Sequence, residues 1–158
     1  IAEIGVGSGI ISISLALELK NAKIIATDIS PDALKYAKIN KDKFQVDIEL
    51  IESNYLDKVN GDFDIIISNP PYIAANYPLD KWVLSEPKTA LIGGQIGDEI
   101  LKDIINLAKS RAKYLICEMG YDQRESMKNY LDKLDFQSEF YTDLAGLDRG
   151  FIAYNKGK

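Results

Sequence analysis

Short apolar runs alternate with longer amphipathic stretches along most of the chain, which is the pattern of a parallel sheet wrapped by helices. The chain opens on Ile1-Ala2-Glu3-Ile4, the tail of a strand running straight into glycines, and Ile10, Ile11, Ile13, Leu15 and Leu17 then populate a largely apolar helix. Lys23 to Thr27 predicts a second strand ended by Asp28. Ser30, Pro31 and Asp32 supply an N-cap, a proline at the first helical position and an acidic first turn, so a helix is expected to about Asn40. Ile48 to Glu52, Phe63 to Ser68 and Tyr114 to Glu118 read as further strands. Helices are expected over Glu99 to Ala112, with Asp98 able to cap, and from about Gln123 to Leu134. Ser138 to Thr142 and Phe151 to Tyr154 can pair antiparallel through the Asp143 to Gly150 connection. The predicted class is α/β: a doubly wound sheet, mostly parallel with an antiparallel C-terminal hairpin, in one domain over residues 1–158. From Asn69 to roughly Gln95 there is no periodicity, and a stretch of that length inside a compact domain points to a functional loop covering the site.

Candidate chemistry gathers behind the strands. Asn69-Pro70-Pro71-Tyr72 follows the fourth apolar run directly, at the carboxyl edge where open α/β sheets bind ligands. Two adjacent prolines fix φ near −65° and remove two N–H donors, so the loop presents carbonyl oxygens and the Asn69 side chain in one stiff arrangement suited to holding an NH₂ group. The bland alternative is a rigid turn with no chemistry. Between the first strand and first helix, Glu3-Ile4-Gly5-Val6-Gly7-Ser8-Gly9 lets backbone approach a ligand closely and turns sharply into the helix. Its G-x-G-x-G spacing suits a nucleoside ligand smaller than a nicotinamide dinucleotide, or a turn that only packs helix on strand. Asp28 stands where an acidic residue accepts hydrogen bonds from a ribose diol, and equally where it can cap the next turn. Asn54 and Tyr55, behind the third strand, offer an amide oxygen for an exocyclic amine and an aromatic face for a purine, unless the tyrosine merely packs.

Composition removes several alternatives. The 158 residues contain no histidine, which excludes imidazole bases, His-based triads and His-ligated metals, and no metal site is expected. The one cysteine, Cys117, lies in an apolar run and reads as a buried structural thiol rather than a nucleophile. A formal charge of −5 lacks the basic footprint of a protein that neutralises many phosphates, so a nucleic-acid partner is not expected. No apolar run is long enough to span a membrane and no charged-apolar-small leader opens the chain, so a cytoplasmic location is the expectation. Ile1 is not methionine, and a clipped first strand suggests a missing amino-terminal part.

The glycine loop, Asp28 and Asn69-Pro70-Pro71-Tyr72 together resemble class I S-adenosylmethionine-dependent methyltransferases, Rossmann-like enzymes, here of the kind acting on planar amino groups. Glu86-Pro87, Ala90-Leu91-Ile92-Gly93-Gly94, Glu118-Met119-Gly120 with Gln123, and Asp143-Leu144-Ala145-Gly146-Leu147-Asp148-Arg149 resemble, in order, the HemK/PrmC-type protein-(glutamine) methyltransferases. That resemblance implies methyl transfer from S-adenosylmethionine to the glutamine of the Gly-Gly-Gln motif in peptide chain release factors. It implies that Gly5, Val6, Gly7, Ser8 and Gly9 line the methionine end of the cofactor, Asp28 its ribose, and Asn54 and Tyr55 its adenine. Asn69, Pro70, Pro71 and Tyr72 would hold the substrate amide, with Asn69 and Pro70 catalytic and Asn69 also beside the cofactor. Asn54 departs from the aspartate that many members carry, and the family's amino-terminal helical domain is expected in the missing part. A DNA adenine N6-methyltransferase, gripping the amine of a flipped base, and an inactive cofactor-binding fragment are the alternatives. The acidic balance and the last blocks weigh against DNA.

Overall fold

The computed structural model describes residues 1–78, 87 and 90–158, and Glu86 of the predicted Glu86-Pro87 pair lies outside them. The chain forms two compact units, Ile1–Ser68 and Asn69–Lys158.

In the first unit, strands β1 (Ala2–Ile4), β2 (Ile25–Asp28), β3 (Glu49–Glu52) and β4 (Phe63–Ser68) alternate with helices α1 (Ile10–Glu18) and α2 (Pro31–Phe44). The strands lie in the order β3-β2-β1-β4 and every pair is parallel. Val6, Ile13, Ile24, Ala26, Ala37 and Ile48 form the apolar core that the helices close over the sheet. Helix α2 starts as the sequence predicts: the Ser30 hydroxyl accepts from Ala33 N at 3.3 Å and Pro31 opens the helix. It continues past Asn40 to Phe44 because nothing breaks it there, and Gln45 ends it in the left-handed conformation at φ 53°.

In the second unit, β5 (Ile73–Ala74) and β6 (Ile92–Gly94) form a short parallel pair, Ile73 beside Ile92, inside the stretch expected to lack regular structure. Helix α3 (Glu99–Arg111), β7 (Ala112–Glu118), α4 (Arg124–Lys133), β8 (Phe136–Thr142) and β9 (Asp148–Asn155) follow. β7 and β8 flank β9, both antiparallel, as the predicted hairpin requires. The fold class is the expected one, α/β and mostly parallel with antiparallel C-terminal strands. Leu101, Ile104, Leu115, Met127, Leu131 and Phe151 are fully buried in this unit. Cys117 is fully buried too, a free thiol whose pKa burial pushes far up, as expected of a structural cysteine. Asp98 precedes α3 but does not cap it with its side chain. One carboxylate oxygen is taken by Lys102 Nζ at 2.7 Å and Ser126 Oγ at 2.8 Å, partners invisible to a local reading.

No helix among the described residues is long and apolar enough to cross a membrane.

Asn155, fully buried at the end of β9, joins that strand to the end of α3. Its amide donates to Lys109 O at 2.9 Å and Ala112 O at 3.0 Å, while its oxygen accepts from Gly157 N at 3.1 Å. Asn155→Ala orphans buried carbonyls and is expected to lower stability by about 2–3 kcal/mol, read as a lower urea midpoint. An unchanged midpoint would mean that water replaces the amide.

Candidate active site

Parallel strands in register bring their carboxyl ends to one edge. Ile4 lies beside Thr27 on one side and Ser68 on the other, and Thr27 beside Ile51, so the loops after β1, β2 and β3 meet there. β4 ends at the same edge, and the chain continues into Asn69.

Gly5, Gly7 and Gly9 all have positive φ, at 76°, 52° and 86°, a conformation that disfavours side chains at these three positions. Gly5 N and Val6 N both donate to Thr27 O at 2.9 Å, folding the loop back over β2, and Ser8 O accepts from Asn40 Nδ2 at 2.8 Å. Val6 is buried in the core, whereas Gly5 and Ser8 are exposed. Around Gly5 and Gly7 the positions that a Cβ would occupy have no atom within 4 Å, leaving an open cradle.

Asp28 caps the next turn, as one reading of its position expects, and also bonds the glycine loop. Oδ2 accepts from Gly7 N and Oδ1 from Ser30 N, each at 2.9 Å, so the carboxylate shapes the glycine loop and the turn into α2 together. A carboxylate has about four acceptor sites, and two bonds leave capacity for a diol. Ser53 N donates to Asp28 O at 3.0 Å, which brings Asn54 and Tyr55 to the same place. Asn54 Nδ2 donates to Asp57 Oδ2 at 3.1 Å, leaving the oxygen as the amide's remaining polar end. Tyr55 is half-buried with φ 44°, an outlying conformation for a bulky residue and one that clusters at ligand sites.

Glu3 is a residue whose role local reading missed, although a charge inside a buried parallel strand was the available signal. It is 1% exposed, and Oε2 accepts from Ser12 N at 3.0 Å and from the Ser12 hydroxyl, tying the start of α1 to β1. Burial pushes its pKa up to about 7, against the Ser12 hydrogen bonds and with the charge of Asp28.

The second unit holds the tetrapeptide. Asn69 is exposed, Pro70 buried, and Pro71 and Tyr72 half-buried. The two glycines Gly93 and Gly97 lie under its backbone. A Cβ on Gly93 would stand 2.6 Å from Pro71 O and 2.9 Å from Tyr72 Cα, and one on Gly97 2.7 Å from Tyr72 O. Ile73 N donates to Leu91 O at 2.9 Å, pinning the chain just after Tyr72. Gln123 Nε2 donates to Tyr72 O and to Gly97 O, both at 3.0 Å, while its Oε1 accepts from Gly120 N at 2.9 Å. The Tyr72 hydroxyl donates to Glu118 and accepts from Arg149. A cavity of about 340 Å³ adjoins, lined among others by Tyr72, Ile73, Tyr77, Ile96 and Tyr121.

Residues 1–84 match the model of the methyltransferase small domain. The chain belongs to that family. It is 42% identical to a release factor glutamine methyltransferase of Dictyoglomus turgidum, with 94% of the chain aligned. It is 38% identical to another of that name from Aquifex aeolicus, with 96% aligned. The chain spans 57% of the length of each of these curated relatives. The solved structure of a ribosomal protein L11 methylase from Lactobacillus delbrueckii subsp. bulgaricus superposes with a TM-score of 0.72 at 27% identity, covering 98% of this chain and 68% of that one.

In this methyltransferase-family chain, the raised Glu3 pKa has a stability consequence. An unfolded glutamate loses its proton near pH 4.5, the folded one near pH 7. Between these values the folded state binds the extra proton, so this carboxyl makes stability fall as pH rises, by on the order of 2–4 kcal/mol. Glu3→Gln keeps an acceptor for Ser12 and is expected to abolish that decline in urea titrations run across the interval. Equal declines in both proteins would contradict it.

Proposed function

We propose that this chain is the catalytic part of a protein that methylates the side-chain amide nitrogen of the glutamine in the Gly-Gly-Gln motif of peptide chain release factors, using S-adenosylmethionine. The observation that carries the reading is the Asn69–Tyr72 tetrapeptide, immobilised through Tyr72 and underlain by Gly93 and Gly97. The relatives named for that activity support the choice of glutamine over adenine. The protein partner is the release factor, the compartment the cytoplasm, and neither metal nor nucleic acid takes part.

The first unit fits the cofactor. The open cradle at Gly5 and Gly7 has room for its methionine end, Asp28 retains acceptor capacity for the ribose, and Asn54 and Tyr55 would take the adenine. Asn54 accepts from the adenine amine without charge, a weaker bond than the aspartate of many family members makes. When bound, S-adenosylmethionine supplies an electrophilic methyl group.

The rest is the work of this chain's own residues. An amide nitrogen is a poor nucleophile because its lone pair is delocalised into the carbonyl, so it must be aimed and polarised. The Asn69 side-chain oxygen and the Pro70 carbonyl each accept one amide N–H. Those two bonds orient the nitrogen and stabilise the positive charge it develops, and the proline pair fixes both acceptors in advance. The N-alkylated amide cation formed by that nitrogen's attack is acidic enough to lose its proton to any nearby acceptor, which leaves the neutral N-methyl amide, so a chain without histidine suffices. Tyr72 packs against the glutamine.

Asn69→Ala is expected to abolish most transfer of labelled methyl to release factor, with cofactor binding followed separately by calorimetry; near wild-type turnover would sink the assigned role. Transfer to duplex DNA instead would favour the adenine enzyme. Asp28→Ala should weaken cofactor binding by about 1.5–3 kcal/mol in calorimetry, the range for a charged hydrogen bond. An unaltered constant would move the ribose site elsewhere.

A further inference from the structure

Tyr72 is restrained at both ends. Its carbonyl accepts from Gln123 Nε2 at 3.0 Å. Its hydroxyl donates to Glu118 Oε1 and accepts from Arg149 Nη1, each at 3.1 Å. Arg149 is in turn oriented by Asp143, whose Oδ2 accepts from Nη2 at 3.1 Å. The other Asp143 oxygen accepts from Ala145 N at 2.9 Å and Leu147 N at 3.0 Å, closing the turn between β8 and β9. The turn backbone therefore fixes Asp143, Asp143 fixes the guanidinium, and the guanidinium with Glu118 fixes the phenol.

A phenol has one proton, and here it is committed to a carboxylate. Burial, with Glu118 as the next contributor, pushes the Tyr72 pKa up and keeps that proton in place. The hydroxyl thus has no proton to offer a substrate, which leaves the ring as the part of Tyr72 that meets one. Glu118 and Arg149 are both about one-third exposed, and their 3.8 Å charge separation gives a weak pair on its own. Their placement is explained better by the phenol between them.

We propose that Arg149 and Glu118 are positioning residues for methyl transfer, which lock the Tyr72 ring as a fixed wall of the amide site and act only through its hydroxyl. This rests on the amide-methyltransferase reading above.

The test is a double-mutant cycle in the full-length protein, combining Tyr72→Phe with Arg149→Lys, which keeps the charge but loses the planar fork. Each single substitution is expected to lower kcat for release factor about 10- to 100-fold, with the cofactor dissociation constant unchanged. The double variant should be no slower than the worse single one. Losses that multiply would overturn the proposal, because Arg149 would then act by another route. A readout independent of activity is the Tyr72 signal in protein labelled with carbon-13 at the tyrosine Cζ. It should move in both Arg149→Lys and Glu118→Gln, and a stationary signal would equally overturn the brace. Wild-type protein that transfers no methyl to release factor would refute the functional reading alone, and the Tyr72 signal would then decide the brace.

Discussion

Asp28 bonds three loops at once, and the first unit is organised around that junction. Its two carboxylate oxygens accept from Gly7 and Ser30, and its carbonyl accepts from Ser53. Backbone polar groups in the loops at the sheet edge need partners, and neighbouring loops supply them. A charged acceptor makes those bonds stronger than neutral ones. Glu3 does the same task one layer deeper, joining β1 to α1 through Ser12. The glycine loop therefore lies between two anchoring carboxylates, Asp28 half-exposed and bonded to the loop, Glu3 buried and bonded to the start of α1.

The second unit solves a different problem. Consecutive prolines stiffen the tetrapeptide but also withdraw the donors by which a loop is usually tied down. The deficit is met from outside. Glycines pack beneath the backbone, Gln123 bonds the Tyr72 carbonyl, and β5 pairs with β6 just beyond. Pocket residues such as Ile73 and Ile96 come from the same two segments, so the walls of the cavity and the supports of the tetrapeptide are one construction.

The parts legible in the sequence are those whose determinants are local. β4 was readable residue for residue because a continuous apolar run ends in Asn-Pro, and the start of α2 because Ser30 and Pro31 leave little choice. The short β5 and β6 gave no periodicity, since strands of two and three residues are defined only by each other. Asp98 looked like a cap because caps are local, but Lys102 and Ser126 hold its carboxylate. Among candidate site residues, the glycines and Asp28 declared themselves by spacing from a strand end. Glu118, Gln123 and Arg149 stood out only as blocks of a family resemblance. Their physical task, meeting at Tyr72 from three separate elements, depends on contacts 46, 51 and 77 residues apart.

Cys117 has a use that its structural role conceals. The thiol is solvent-inaccessible near the end of β7, its pKa displaced upward, and the 158 residues contain no second cysteine to compete with it. Alkylating reagents act on the thiolate, so they modify this side chain only in molecules whose C-terminal sheet has opened. The rate of labelling at Cys117 is thus an intrinsic clock for opening of the sheet that bears Glu118 and Arg149, and needs no engineered probe.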